Sequence, residues 1–258
     1  MASHLRKILT IILLSLCCFG SAAAIPNFQN EKLSYVISYK WGIIQKDAAK
    51  ATLTLTARPK TYEIKLAAAT LPWADKIFCV RDTLQSWISR TTNLPIKYIK
   101  TTHENGRYNK DVLSYSYNGN SVTGTCNRTK IVNGKRKNSV YKATVKGVTY
   151  DMLSIFYYIR TLNFPAMTPG KTIRVNILSG SSPEILTINY RGTDTAQMPD
   201  GKSYKCYHIQ FTFTTDRGTS VSAPMDTWIT TDSRRIPVKL IGTLPIGKVR
   251  AFLTGVSA

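Results

Sequence analysis

The feature that most constrains the fold is a strict alternation of side-chain type along many short segments. In the segment from Leu33 to Trp41, apolar or aromatic residues fill every second position: Leu33, Tyr35, Ile37, Tyr39 and Trp41. Successive side chains of a β-strand point to opposite faces, so the pattern predicts a strand with one buried face. The same alternation recurs at residues 52–56 and 62–66, on either side of Arg58-Pro59-Lys60.

Further strands are predicted at regular spacing along the rest of the chain. They span residues 80–90, 95–104, 107–118, 120–132, 138–146, 171–179, 184–192, 203–215, 219–230, 236–243 and 247–255. Separators such as Asn105-Gly106, Asn118-Gly119-Asn120, Asn133-Gly134, Asp200-Gly201 and Asp216-Arg217-Gly218 are typical of hairpin turns. The prediction is an all-β fold, with an antiparallel meander sheet curled into a barrel or half-barrel to remove its exposed edges.

One segment departs from this alternation. Tyr150–Arg160 is apolar at nearly every position, and its apolar side chains would cover most of the circumference of a helix. A helix over about residues 149–162 is therefore predicted to be buried, in the concave face or mouth of the curled sheet. Asp151 would lie near its N-terminus and Arg160 near its C-terminus, where those charges are favoured. A shorter helical turn is predicted at residues 72–77, with Pro72 at an early position.

The N-terminus has the form of a signal peptide, with Arg6 and Lys7, an apolar stretch and small residues up to Ala24. Residues 1–24 are therefore predicted to be removed on export, which leaves a single domain of residues 25–258 in the periplasm. The apolar stretch is short for a membrane span, and no later segment is long enough. Attachment as a lipoprotein is disfavoured, because Cys17 and Cys18 follow residues larger than such processing usually accepts.

The charge of the chain points to anionic partners. Without Arg6 and Lys7 there remain 33 Lys and Arg against 14 Asp and Glu, a formal charge near +19. In an exported protein this charge would concentrate anionic lipid, lipopolysaccharide or acidic glycan, whereas nucleic acid is on the other side of the membrane. The alternative is a solubilising surface with no particular partner. Local concentrations of cations occur at Lys130–Lys137 and at Arg234-Arg235. These residues either contact an anion or form charged loops that protect a sheet edge from association.

Residue types that support catalysis or metal binding are scarce. The exported part has two histidines, His103 and His208, and no glycine-rich loop between a strand and a helix. It has three cysteines, Cys79, Cys126 and Cys206, without metal-ligand spacing, so a disulfide could form by any of three pairings. No catalytic residue, metal or cofactor is predicted.

Four charged residues stand in apolar surroundings, where an unpaired charge is costly. Arg81 and Asp82 follow an apolar stretch, and Asp151 and Arg160 flank the predicted helix. They are expected either to form structural ion pairs with one another or to line a cavity and contact a ligand.

Several of these segments also resemble a known family. They occur in order as Asn30–Tyr35, Phe78–Asp82, Leu94-Pro95, Glu104 with Tyr108, Tyr150–Arg160, Trp228–Asp232 and Arg235–Val238. Together they resemble an exported family of Gram-negative bacteria known as domain of unknown function 3108. The resemblance implies a YmcC-like fold, with an antiparallel sheet curled into a barrel around inserted helical segments. It brings no established activity, and Asn30 stands where the family pattern has glycine.

Three hypotheses for function follow. The first is a non-enzymatic binding protein for an anionic or amphiphilic envelope component, lipid or polysaccharide, in a cleft with an aromatic wall from Tyr35, Tyr39, Trp41, Tyr157 and Trp228. Its predicted ligand-binding residues are Arg81, Asp82, Asp151, Tyr157, Arg160 and Trp228. The second is an enzyme acting on envelope polysaccharide through carboxylates among Asp82, Glu104 and Asp151. The third is a structural or assembly partner of an envelope complex, which would expose an apolar patch.

Overall fold

Fifteen strands form one continuous sheet in the computed structural model, which describes residues 28–215, 221–243 and 247–258. The strands are β1 (Glu31–Trp41), β2 (Ile44–Ala57), β3 (Thr61–Thr70), β4 (Arg81–Ser89), β5 (Pro95–Glu104), β6 (Arg107–Asn118), β7 (Ser121–Val132), β8 (Lys135–Lys146), β9 (Thr149–Tyr150), β10 (Thr172–Ile177), β11 (Glu184–Gln197), β12 (Ser203–Thr215), β13 (Met225–Thr230), β14 (Pro237–Thr243) and β15 (Lys248–Ser257). The all-β prediction is confirmed, and the sheet is a nearly closed barrel. The predicted signal peptide and the Asp216-Arg217-Gly218 turn lie outside the described residues.

The order of strands across the sheet follows the chain in two arms. One arm runs from β1 to β8, the other runs back from β15 to β9, and the two meet where β1 pairs with β15. Neighbouring strands are antiparallel except β9 and β10, which are parallel. The predicted Asn105-Gly106 and Asn133-Gly134 turns are present, with both residues of each at positive φ, as tight hairpins require.

The barrel is almost closed at a seam between its two ends. The N–H of Leu178, just after β10, donates to the carbonyl of Tyr150, while the Tyr115 hydroxyl on β6 donates to the carbonyl of Leu178 at 2.6 Å. Leu178 also lies against Gly124 of β7, so closely that a Cβ on Gly124 would be 2.4 Å from Leu178 Cδ2. The segment after β10 therefore bridges strands that belong to opposite arms.

Two helices interrupt the strands. α1 (Pro72–Asp75) is the predicted short turn, and α2 (Ser154–Thr161) is the predicted apolar helix; a 3-10 helix, Phe164–Ala166, follows it. α2 is shorter than the predicted span of about 149–162. Its start is displaced because Thr149 and Tyr150 pair with β10 as β9, and the next turn is held by side-chain hydrogen bonds of Asp151.

The core of the barrel is built around α2. Leu153 and Tyr157 pack in a cluster with residues of β1 to β7, such as Leu55 and Tyr98. Ile155 and Ile159 pack in a second cluster with residues of β10 to β13. The helix is therefore enclosed by both arms of the sheet, as its apolar sequence predicts.

The three cysteines of the described residues are free. Cys126 and Cys206 are buried, and burial raises the pKa of each thiol to about 11. The predicted alternative of one disulfide is therefore not realised in the structure. None of the helices in the described part of the chain is long and apolar enough to span a membrane.

Candidate functional site

An apolar cavity of about 300 Å³ lies between α2 and the concave face of the sheet. One wall comes from α2 and the residues before it, with Met152, Ile155, Phe156 and Ile159. The facing wall comes from strands of both arms and includes Tyr35, Leu53, Leu66, Phe211, Phe213 and Ala251. The cavity exists because α2 does not fill the space that the curled sheet encloses.

Polar groups in the cavity wall are already hydrogen-bonded. The Tyr35 hydroxyl donates to the Pro237 carbonyl at 2.9 Å, and the Thr227 hydroxyl donates to the Lys239 carbonyl at 3.2 Å. Burial raises the pKa of the Tyr35 hydroxyl, so it stays neutral. The wall can therefore contact hydrocarbon but presents little hydrogen-bonding capacity to a sugar.

Lys239 is the one cation in the wall among the described residues, and its ammonium group is engaged elsewhere. Lys239 Nζ lies 4.4 Å from the centroid of the Trp228 ring, in a cation–π contact. Its pKa is lowered, first by burial and then by the charge of Arg250. Lys239 thus contributes to the cavity wall without supplying it with a free charge.

A second hollow, of about 450 Å³, lies at the seam of the barrel and is more open to solvent. Tyr150, Tyr158, Lys146 and Arg174 are among the residues that line it. The amide of Asn176 at its edge donates to the carbonyls of Lys146 and Val148. This hollow is a shallow groove of mixed polarity, so the cavity beneath α2 is the better-formed site despite its smaller volume.

Asp151 is fully buried and stabilises the turn that precedes α2. Its carboxylate accepts hydrogen bonds from the N–H groups of Leu153 and Ser154, both at 2.8 Å, and from the Ser86 hydroxyl at 2.6 Å. Burial raises the pKa of Asp151 to about 6, and these hydrogen bonds oppose the shift. The carboxylate is thus held by the protein itself.

Arg160 is buried beside Glu31 of β1. Its guanidinium donates two hydrogen bonds to the Glu31 carboxylate, one of them from Nη2 at 3.0 Å, and a third to the Arg234 carbonyl at 2.9 Å. Burial disfavours the charged guanidinium, but the Glu31 hydrogen bonds and charge raise its pKa above the ordinary value. The Tyr157 hydroxyl also donates to Glu31, and Phe28 lies against both Tyr157 and Arg160. Arg160 therefore joins α2, β1 and the loop before β14.

Arg81 and Asp82 lie at the start of β4 and have separate partners. The Arg81 guanidinium pairs with Asp75 of α1, with Nη2 2.6 Å from Oδ2, and this pairing lowers the pKa of Asp75 to about 2. Asp82 accepts the N–H of His103 at 3.1 Å. Its pKa is raised, first by partial burial and then also by Glu104.

Trp228 belongs to a third cluster. Its indole N–H donates to Asp194 at 2.8 Å, and its ring stacks on His208 with centroids 4.5 Å apart. His208 in turn contacts Asp226. Neither Trp228 nor His208 is among the residues that line the cavity beneath α2.

The structure thus brings Tyr157 and Arg160 together and places Arg81, Asp82, Asp151 and Trp228 apart from them. None of the six lines the cavity beneath α2, and the charged residues among them have partners other than one another. A ligand-binding role for the six stays a prediction. Of the predicted aromatic wall, Tyr35 does line the cavity, while the side chain of Trp41 is outside the described part of the structure.

Sequence reasoning did not identify Glu31 or the residues of β2, β11 and β12 that form the cavity wall. The sequence did hold one indication of Glu31: Arg160 lies in an apolar helix, and a buried cation requires an acidic partner. The described residues contain no group of three or more His, Cys, Asp or Glu that could hold a metal ion.

Comparison with known proteins agrees with the architecture. The family model of DUF3108, described as a protein of unknown function, matches residues 34–254. The chain is similar in fold to the crystal structure of a beta-barrel-like protein of domain of unknown function DUF1849 from Brucella abortus. The TM-score is 0.62 at 6% sequence identity, over 90% of this chain and 98% of that chain. The comparison with curated proteins gives no match.

Proposed function

The chain belongs to the DUF3108 family, and from this premise and the cavity beneath α2 we propose that it is a non-enzymatic binding protein for an amphiphilic, anionic lipid of the cell envelope. The proposal includes export by residues 1–24 and action in the periplasm. The single observation that carries it is the apolar cavity between α2 and the sheet, which is partly open to solvent.

The lining of the cavity argues that a ligand covers it in the working protein. Its side chains are mostly apolar, and several of them, among them Leu66, Phe156 and Phe211, are only partly buried. Without a ligand, the cavity therefore leaves apolar surface in contact with water. Bound hydrocarbon would remove that surface from water, which is favourable by about 25 cal/mol per Å² of apolar area.

The chemistry of the wall favours an acyl chain over a polysaccharide. The side chains are largely aliphatic or phenylalanine, and the hydroxyls of Tyr35 and Thr227 already donate to carbonyls of the protein. A sugar would lose its hydrogen bonds to water there without replacement. The polar head of the ligand is therefore placed outside the cavity, where the high positive charge of the chain favours an anionic group.

Hydrolysis of envelope polysaccharide has less support. Asp151, one of the three carboxylates considered for that chemistry, is fully buried and accepts hydrogen bonds from Ser86 and its own turn. A polymer in solvent would not reach it. Asp82 lies at the start of β4 and Glu104 at the end of β5, and the charge of Glu104 contributes to raising the pKa of Asp82. Neither residue lines the cavity beneath α2.

The experiment is native mass spectrometry of the mature protein, purified gently from the envelope fraction, with titration of the fluorescent fatty acid cis-parinaric acid. The binding proposal expects a co-purifying lipid and saturable probe binding at one site. Ala251→Phe, which would place an aromatic ring in the cavity, should strongly weaken probe binding. Ile96→Phe, at a position 45% exposed on β5, adds the same ring outside the cavity and should leave binding unchanged.

Two outcomes would overturn the proposal. One is wild-type protein that carries no lipid and does not bind the probe. The other is equal probe binding by the wild type and by folded Ala251→Phe, which would place the binding outside the cavity. The first result would favour an assembly partner of an envelope complex.

A further inference from the structure

The hairpin of β7 and β8 has a composition unlike the rest of the chain. Residues 121–148 contain seven Lys or Arg and no Asp or Glu. The cations are Arg128, Lys130, Lys135, Arg136, Lys137, Lys142 and Lys146. Within the described part of the chain, Arg128 is the one of these cations found in a salt bridge, with Asp111 of β6. The hairpin therefore has six cations with no salt bridge to an acidic side chain among the residues that the structure describes.

β8 is an edge strand, and its second side pairs with no strand in the described part of the chain. It pairs along its whole length with β7, and the sheet ends there. Asn176 contacts the backbone only at the C-terminal end of β8, at Lys146 and just beyond it. At about 3.3 Å per residue, the 12 residues of β8 span about 40 Å. A long edge with unpaired backbone groups is a template for another strand.

The cations lie on both faces of the sheet along this edge. Lys137 is paired with Lys130 of β7 on one face, and alternation places Arg136 and Lys142 on the other. Apolar side chains are also exposed on each face, with Val140 at 68% and Tyr141 at 37% exposure. A flat anionic surface would contact only one face at a time, whereas a strand placed alongside β8 would present its own side chains to both.

We propose that the free edge of β8 binds an extended acidic peptide segment of another protein, which adds to the sheet as a further strand. Backbone hydrogen bonds would fix the segment along β8, and its acidic side chains would pair with Arg136, Lys137 and Lys142. A second copy of this chain fits poorly, since pairing two β8 edges would bring their cations together. This interaction is independent of the cavity beneath α2.

The test uses a labelled peptide of six Glu-Thr repeats, read by fluorescence anisotropy with the mature protein. A peptide of six Glu-Pro repeats has the same charge but lacks half of the backbone N–H donors needed to pair as a strand. The Glu-Thr peptide should bind at least about tenfold more tightly than the Glu-Pro peptide. It should also slow hydrogen exchange of backbone amides in residues 135–146.

The charge contribution is tested by Arg136→Glu, Lys137→Glu and Lys142→Glu together. This variant should weaken binding of the Glu-Thr peptide by about tenfold or more. The matched control is Lys50→Glu, Lys65→Glu and Lys205→Glu, three exposed positions with the same total change of charge, and it should change binding less than about threefold.

Three results would overturn the proposal. The first is equal affinity for the Glu-Thr and Glu-Pro peptides, which would indicate attraction by charge alone. The second is an equal loss in the β8 variant and in the control. The third is absence of peptide binding together with binding to vesicles of phosphatidylglycerol, which would assign the hairpin to an anionic membrane surface. Hydrogen exchange of the wild-type protein, measured with and without the Glu-Thr peptide, shows whether the peptide binds along residues 135–146. This measurement does not depend on whether the β8 variant folds.

Discussion

Arg160 of α2 and Glu31 of β1 form an ion pair across 129 positions of the chain, and the side chain of Arg160 is only 2% exposed. Glu31 is also the acceptor for Tyr157, so one carboxylate holds two residues of the helix. Removing one member of a buried pair leaves the other charge without compensation. The orientation of α2 against β1 therefore depends on this carboxylate.

Glu31→Gln should destabilise the protein by about 3–5 kcal/mol, because it leaves Arg160 buried without a counter-charge. Urea unfolding followed by circular dichroism measures the loss. Glu63→Gln is the control, since it removes the exposed Arg58–Glu63 pair and should cost less than about 1 kcal/mol. Similar losses in the two variants would contradict the structural importance of the buried pair.

The pH dependence of stability should include a contribution from Asp151. Its carboxyl titrates near 3.8 in the unfolded chain and at about 6 in the folded state, mainly because burial disfavours the ionised form. The folded state binds the proton more tightly, so this contribution is present below about pH 4 and is lost as the pH rises through about 6. Its size is about 3 kcal/mol.

Asp151→Asn removes the ionisable carboxyl group. It keeps a side chain of similar size, with one oxygen that can still accept the hydrogen bonds from the N–H groups of Leu153 and Ser154. The stability of the variant relative to wild type should increase steadily as the pH is raised from about 4 to about 6, and then level off. Urea unfolding at several pH values in this range provides the measurement. A difference between the two proteins that does not change with pH would show that Asp151 ionises as an ordinary carboxyl.

Ala251→Leu should stabilise the ligand-free protein by about 0.5–2 kcal/mol, because the added atoms enter the cavity beneath α2. Leu33→Phe, at a fully buried position of β1, is the contrasting variant. It adds atoms where the core is already packed and should cost about 1–3 kcal/mol. Thermal unfolding of delipidated protein compares them, and destabilisation by both would indicate that no usable space exists at Ala251.

Gly124→Ala should destabilise the barrel by about 1–3 kcal/mol, since the new Cβ would be placed 2.4 Å from Leu178 Cδ2 at the seam. In the background of Leu178→Ala, the same substitution should cost little. A double-mutant cycle measured by urea unfolding gives the coupling between the two positions. Additive effects would mean that β7 and the segment after β10 do not touch as described.

The strands were predictable from sequence because each hairpin is local, so period-two patterns such as that of Leu33–Trp41 identify them without knowledge of the whole fold. The start of α2 was less predictable. Thr149 and Tyr150 are compatible with a helix, and only their pairing with Asn176 and Ile177 of β10 makes them a strand. Local preference was overridden by a tertiary contact.

The candidate site was harder to predict than the fold. The sequence indicates that Asp151 and Arg160 need partners, but Ser86 and Glu31 are distant in the chain. The cavity is more difficult still, because it is the space that many strands and α2 leave unfilled. No short motif describes such a space.

The pairing of β1 with β15 has a consequence for how the molecule is assembled. Every other antiparallel neighbour pair is close in the chain, whereas Lys32 is aligned with Ser257. The arm from β1 to β8 consists of local hairpins, so it can form before β15 has been brought alongside β1. One edge of β1 therefore stays unpaired until β15 docks, and closing this longest loop is expected to be the slowest step of folding.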